Sequence, residues 1–419
     1  MMPRTELPPP RPGRTGWPWT AAADPTPDTP QDWPRVTVVT PSFNQAPFLE
    51  EAIRSVLLQG YPNLEYIVLD GGSTDGSVEI IRRYAPWLTH WASAPDRGQA
   101  DALRRGFERA TGEVLAWLNS DDVYLPGALR QAVEVLRDTP EAVMVHGYAD
   151  EIDRHSAYLG PARQIGPADH DILLRDNNVI GQPAAFFRRA AYEAAGGLDT
   201  GLHWTMDYDL WFRLARLGRL VHHPQRLAQM RLYAETKTNT GDEAMFVEVR
   251  EVVRRHGGRN LPTGMADWLE AMHLAQAQEA LRRGDRPAAA DRLAFMLEMI
   301  PAWRDEGRLA ELIAGEAWRQ YLAGALAEAA MLDWAAQVCG ELPGEFIAAQ
   351  RARRLTLSIL HEALSFHHAR QAHRRLAWRH AWQAIRHDPR ELGNRGLWAV
   401  TARSLLRPAR SGAPRETER

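Results

Sequence analysis

The sequence predicts an α/β protein: a Rossmann-like mixed sheet flanked by helices over residues 35–245, followed by an all-α C-terminal region. Three observations carry that prediction. Short β-branched or apolar runs alternate with helical spacing between Val36 and Leu118, the pattern of βαβ units in a largely parallel sheet. Those runs end in polar or glycine-containing loops, and open α/β sheets bind their ligands outside the carboxyl ends of such strands. After residue 245 the composition turns to Ala, Leu, Arg and Trp at helical spacing, without strand signals.

A chain of 419 residues with 45% apolar content is long enough for two or three domains with real cores. Lys plus Arg total 50 and Asp plus Glu total 53, so the global basic field used by nucleic-acid binders is absent and nucleic acid is excluded as a partner. A single cysteine, Cys339, permits no intramolecular disulfide. No apolar run reaches the roughly eighteen residues of a membrane span, and the N-terminus lacks the apolar core of a signal peptide. A cytoplasmic protein with at most peripheral membrane association is expected.

Residues 1–34 are crowded with proline and lack periodicity, so they are expected to form a disordered leader in which Trp17, Trp19 and Trp33 are stray aromatics. Val36 to Thr40 then reads as a strand that stops at Pro41-Ser42-Phe43-Asn44, and Leu49, Ile53, Val56 and Leu57 share one side of the helix that follows. Leu64 to Leu69 is a second strand, ending in Asp70-Gly71-Gly72-Ser73-Thr74-Asp75. A carboxylate such as Asp70 can accept hydrogen bonds from a nucleotide, or simply hold a turn. A third short strand near Thr89 to Ala92 leads through Arg97-Gly98 into a helix, and Val114 to Leu118 is the fourth.

That fourth strand ends in Asn119-Ser120-Asp121-Asp122. Adjacent carboxylates at the edge of a core call for a cation, and a hard divalent ion shares its oxygen ligands with substrate phosphates. Turn chemistry before the helix that Pro126 begins is the plainer alternative. No Gly-x-Gly-x-x-Gly follows the first strand and no Walker-type loop occurs, which disfavours dinucleotide binding and P-loop phosphoryl transfer. Ala142 to Tyr148 and Ala184 to Phe187 read as further strands, with His146 a hydrogen-bonded strand residue. Leu210, Leu214 and Leu217 mark a helix whose first turn holds Asp207, where the helix dipole favours a carboxylate.

Val38 to Asn44, Val68 to Gly76 and Leu118 to Asp122, in that order and spacing, resemble the nucleotide-sugar-binding half of the family 2 glycosyltransferases, with the likeness extending over residues 35–240. The resemblance implies a GT-A fold, an inverting hexosyltransferase mechanism and a divalent metal, Mn2+ or Mg2+. By position, Pro41, Ser42, Phe43 and Asn44 would cradle base and ribose, and Asp70 would bind the base, usually uracil. Arg97, Gly98, Asn119 and Ser120 would complete the donor site, while Asp121 and Asp122 would hold the metal on the diphosphate. Gln182, and with it Trp204, would face the acceptor. Asp207 would be the base and Asp209 a supporting carboxylate, or the reverse, with Met206 where relatives carry Glu. Arg231 would lie in a lid near the diphosphate, with Tyr233 where a His is usual and Lys237-Thr238 following.

Residues 246–407 are expected to be helical, with a loose small-residue, turn, helix and proline pattern similar to tetratricopeptide pairs. Trp303, Trp318, Trp334, Trp378, Trp382 and Trp398 read as core, and residues 408–419 as a disordered tail. A protein partner could dock on these helices. The implied partners of the first region are a nucleotide-sugar donor and a glycan, lipid-linked or protein acceptor, as in polysaccharide biosynthesis. A noncatalytic nucleotide-sugar-binding scaffold is the alternative from another class. A nucleotidyltransferase is a weaker third, because its glycine-rich activation loop is missing.

Overall fold

The computed structural model describes residues 7–24, 33–162, 165–237, 241–300, 306–340 and 349–406. Two compact units divide the chain, Met1–Met265 and Ala266–Arg419. In the first, nine strands form one sheet: β1 (Val36–Ser42), β2 (Leu64–Asp70), β3 (His90–Ser93), β4 (Val114–Trp117), β5 (Val123–Tyr124), β6 (Ala142–Ile152), β7 (Tyr158–Pro161), β8 (Ala185–Arg188) and β9 (Arg219–Arg231). Their order is β3-β2-β1-β4-β8-β6-β9-β5, with β7 paired to β6. The first four are mutually parallel where they pair, as the βαβ reading requires. β8 then runs antiparallel to both β4 and β6, and the sheet becomes mixed.

β1, β2 and β4 are buried on both faces, which explains why they read as largely apolar runs, while the edge strand β3 is partly exposed. The helix Gln99–Phe107 lies so close to β1 that a Cβ on Gly106 would stand 2.5 Å from a Val39 methyl. On the other half, β9 pairs in parallel with β6 over its length. Its sequence hid this strand: His222-His223-Pro224 interrupts the alternation, and the register jumps from His146↔His222 to Tyr148↔Arg226. At that irregularity a Cβ on Gly147 would meet the Gln225 carbonyl at 2.7 Å, so glycine is what lets the strands close.

Several expectations need correction. Residues 7–24 pack on the domain instead of forming a disordered leader. The buried guanidinium of Arg54, on the helix Leu49–Leu57, donates to the carbonyls of Pro8 (2.8 Å), Pro18 (3.0 Å) and Trp19 (2.7 Å). Trp19 and Trp33 are buried, and the Trp17 indole donates to the Tyr124 carbonyl at 2.7 Å. Buried His146 has no hydrogen-bond partner on either ring nitrogen; burial, with His222 beside it, pushes its pKa down to about 3. The first unit also extends past residue 245, because the helix Glu243–Arg255 buries Phe246 and Val252 in it.

The second unit is helical throughout its described residues, with helices Thr263–Arg282, Arg286–Met299, Glu306–Leu322, Glu328–Gly340, Ala349–Arg370, Arg374–His387 and Arg395–Leu406, the first beginning just before the division. Short connections join several of them, such as 283–285, 323–327 and 371–373, and Arg375 to Trp378, expected before a helix, lie inside one. Trp334 is core, but Trp378, Trp382 and Trp398 are 44–45% exposed, against expectation. Trp303, Thr238 and the 408–419 tail lie outside the described residues, as do residues 1–6 and 25–32 of the expected leader. Among the described residues no helix is long and apolar enough to cross a membrane.

Candidate active site

The parallel strands deliver their loops to one edge of the sheet. Ser42 and Asp70 are register partners at the ends of β1 and β2, and β4 ends beside β1. Asp70 is buried, and its carboxylate accepts from the backbone N–H groups of Gly72 (3.1 Å) and Ser73 (2.9 Å) and from the hydroxyls of Ser73 and Ser93. It therefore organises the loop around it. Asn44, held at a φ of 52°, receives Thr74 N–H on its side-chain oxygen at 2.9 Å and donates its own N–H to Ser73 Oγ at 2.7 Å. These bonds tie the two loops together. Pro41 and Ser42 are buried in β1, whereas the Phe43 ring is 61% exposed.

Past β4, Asn119 is the joint of a polar chain. Its amide donates to Asp122 (3.2 Å) and to Gln182 Oε1 (3.0 Å), and its oxygen accepts from Gln99 (2.6 Å). Gln99 in turn accepts from Lys237 Nζ at 3.1 Å. Gln182 donates to the Trp117 carbonyl at 2.9 Å, so both ends of its amide hold the end of β4. Arg97 is largely exposed and pairs with buried Asp101 at 3.1 Å; Gly98, at a φ of 106°, precedes the helix that carries Gln99. Ser120 is buried in the turn.

Asp121 accepts from the Tyr233 hydroxyl at 3.0 Å, and Asp122 accepts from the Arg231 backbone N–H at 3.1 Å. Burial raises the pKa of both acids, and the neighbouring Asp121 charge drives Asp122 well above the carboxylate range. Arg231 is not a lid residue. Its side chain is fully buried, bonded to the carbonyls of Asp121 (2.9 Å) and Asp153 (2.8 Å) and paired with Glu51 at 3.0 Å, so it buttresses the turn from beneath. Tyr233, two residues on, reaches the Asp121 carboxylate with its side-chain hydroxyl.

The helix Met206–Leu217 is drawn to the same region by an indole stack, Trp117 on Trp211, with centroids 5.5 Å apart. Asp207 at its start is half-buried, accepts from Asn178 Nδ2 at 3.0 Å, and has its pKa raised by burial against the opposing pull of the Tyr208 N–H, Asn178 and Lys237. Asp209 differs. It is buried, and although burial alone would raise its pKa, its contacts with His256 (2.9 Å) and Arg213 (2.6 Å) hold it below the ordinary value. Leu217, expected on the apolar face, is exposed. Sequence reasoning missed Glu248, whose carboxylate accepts from the backbone N–H groups of His203 (2.8 Å), Trp204 and Thr205 (2.7 Å each), fixing half-buried Trp204 and the start of this helix. An acid on an amphipathic helix more than forty positions downstream gives no local signal of that role.

The model of glycosyl transferase family 2 matches residues 37–196. An uncharacterized glycosyltransferase of Mycobacterium tuberculosis is 32% identical over 186 residues, spanning 43% of this chain and 69% of that one. One from Rickettsia prowazekii is 30% identical over 214 residues, 49% of this chain and 67% of that one. The chain belongs to glycosyltransferase family 2. It is a glycosyltransferase, and its half-parallel mixed sheet is the GT-A arrangement that the sequence motifs implied. Staphylococcus aureus TarS 1–349, solved in complex with UDP-GlcNAc, is 13% identical with a TM-score of 0.45, covering 80% of this chain and 87% of that one. A likeness of that degree adds nothing to the assignment. The family match encloses the strand-end loops and Gln182; Asp207, Asp209, Tyr233 and Glu248 of the transferase lie beyond it.

Proposed function

We propose that the transferase moves a hexosyl group from a nucleoside diphosphate sugar, UDP-linked, to a hydroxyl acceptor with inversion, aided by Mn2+ or Mg2+, in the cytoplasm. The carrying observation is the continuous polar chain Asp122, Asn119, Gln99, Lys237, whose last member lies within electrostatic reach of Asp207. The acids at the two ends of this chain come from distant parts of the sequence. Asp121 and Asp122 suit a divalent cation: they are adjacent oxygen donors, Asp122 buried and Asp121 half-buried, and burial raises the pKa of both. Such an ion, when bound by these two residues, would stabilise charge on the leaving diphosphate.

The remaining chemistry belongs to the chain. The loop Pro41–Asn44 and exposed Phe43 offer a wall for the base, on a frame braced by Asp70. Asn178 orients the Asp207 carboxylate, and burial makes that carboxylate a better proton acceptor for the attacking hydroxyl. Lys237, half-buried and held by Gln99, places positive charge between the two acid centres. Asp209, locked to Arg213 and His256, keeps the helix in place. Calorimetric titration with a panel of nucleoside diphosphates, with and without Mn2+, tests the reading. UDP binding that tightens with Mn2+ in the wild type and loses that dependence in Asp122→Asn is expected. Failure of every nucleoside diphosphate to bind wild-type protein under both conditions overturns it.

A further inference from the structure

The helical unit holds a second cluster of metal-ligating side chains, outside the transfer chemistry. Glu328 opens the helix Glu328–Gly340, His368 lies near the end of Ala349–Arg370, and His380 lies in the middle of Arg374–His387. Their ligand atoms all fall within 4.8 Å of one another. Nε2 of His368 is 2.8 Å from one carboxylate oxygen of Glu328, and Nε2 of His380 is 3.0 Å from the other. The two imidazoles are buried and stacked, 5.5 Å apart at an interplanar angle of 18°.

A hydrogen-bonded core cluster explains only part of this geometry. His380 is 1% exposed, yet its Nε2 has no hydrogen bond, because the Glu328 oxygen lies out of line despite its closeness. Its Nδ1 is 2.8 Å from Nδ1 of buried His361. With the proton on His380 Nδ1, donated to His361, Nε2 presents a bare lone pair toward a carboxylate oxygen. In this tautomer the contact is repulsive unless a cation lies between the two atoms, whereas a proton on Nε2 would make it attractive. The same tautomer is the one a metal-bound histidine adopts, with its other ring nitrogen donating to an outer-sphere partner.

We propose that Glu328, His368 and His380 form a site for one divalent transition-metal ion, Zn2+ being the natural probe, which joins three helices of this unit. Two imidazoles and one carboxylate are a borderline donor set that favours zinc over magnesium or calcium. Zinc would complete its shell with water on the side of Glu328, the partly exposed member.

The test uses untagged full-length protein carrying Asp121→Asn and Asp122→Asn, which removes the acids proposed to hold a cation in the first unit. Titration with Co2+ should give a visible ligand-field band that saturates at one equivalent and is abolished by Zn2+. His368→Asn, His380→Asn or Glu328→Gln in that background should weaken binding beyond the roughly 10- to 100-fold that loss of an outer-sphere partner costs, and His361→Ala should fall within that range. Circular dichroism establishes that each variant folds. Absence of the band in the background protein overturns the site whatever the variants do, as does an undiminished band in folded His368→Asn.

Discussion

The transferase carries two pairs of acids, and they are treated oppositely. Asp207 and Asp209 stand two residues apart on one helix, yet Asp209 is buried against Arg213 and His256 while Asp207 meets an amide and a more distant lysine. One pKa falls and the other rises. Asp121 and Asp122 follow Asp207: bonded to a hydroxyl, an amide and a backbone N–H, and raised in pKa by burial. A fold that served stability alone would pair every one of these charges as it pairs Asp209. Among the described residues three of them have no contacting cation, and under the proposed function these are the groups that meet ligands.

The largest effects should come from the raised acids. Asp122→Asn and Asp207→Asn should each reduce turnover on the order of a hundredfold or more, corresponding to about 3–5 kcal/mol of transition-state stabilisation. Steady-state rates at saturating donor and acceptor measure this. Wild-type turnover in Asp207→Asn would dissolve the distinction between it and Asp209. Because the folded pKa of Asp207 is raised, activity should fall as pH drops through that value, and the wild-type profile should show this acid limb.

Stability should divide the pairs with opposite signs. Asp209→Ala strips half-buried Arg213 and buried His256 of their acid and should cost up to about 3–5 kcal/mol, read as a lowered Tm. The Asp209 contribution is present above the ordinary carboxylate pKa and is lost as pH falls through its depressed folded value. Asp122 runs the other way: its folded pKa is raised, so its contribution is full below the ordinary value and is lost as pH rises through the folded one. Ion-free Asp122→Asn should therefore melt above wild type at neutral pH. A lower Tm would mean that the ionised carboxylate is already compensated by its surroundings.

What the sequence made legible follows from where each signal sits. Strand-end loops are local, so the turns at Asn44, Asp70 and Asp121-Asp122 stand out in the sequence, and the parallel half of the sheet with them. Which of Asp207 and Asp209 is sealed was not legible, because the partner that decides it, His256, is 47 residues away from Asp209. The family pattern puts Arg231 in a lid, and nothing local shows that Glu51, 180 residues earlier, holds its side chain instead. β9 lacks a period because it pairs across a register shift. The proline-rich stretch 7–24 has no period either, and it is ordered by the carbonyls it offers to Arg54.

That last arrangement yields a smaller effect. Deleting residues 1–24 removes the backbone partners of the Arg54 guanidinium at Pro8, Pro18 and Trp19, leaving Tyr84 as its hydroxyl partner at 3.0 Å. A buried donor without an acceptor costs about 1–3 kcal/mol, so the truncated protein should melt below wild type. Arg54→Met in the truncated chain should restore part of the loss, since an apolar replacement needs no acceptor. An unchanged Tm on truncation would show that water replaces the lost carbonyls.

The finest test concerns Tyr233. Its hydroxyl touches Asp121 at 3.0 Å and Gln45 at 3.3 Å, so it links the acid at the end of β4 to the loop that follows β1. Burial, and then the Asp121 charge beside it, push its pKa upward, which keeps it a neutral donor. As a donor it stabilises an ionised Asp121, by about 0.5–1.5 kcal/mol for a typical hydrogen bond. Tyr233→Phe should consequently weaken Mn2+-dependent UDP binding by about tenfold or less, far below the loss from Asp122→Asn. If the two variants lost binding equally, Tyr233 would touch the donor or its ion directly, and would belong with the raised acids as a ligand-binding group.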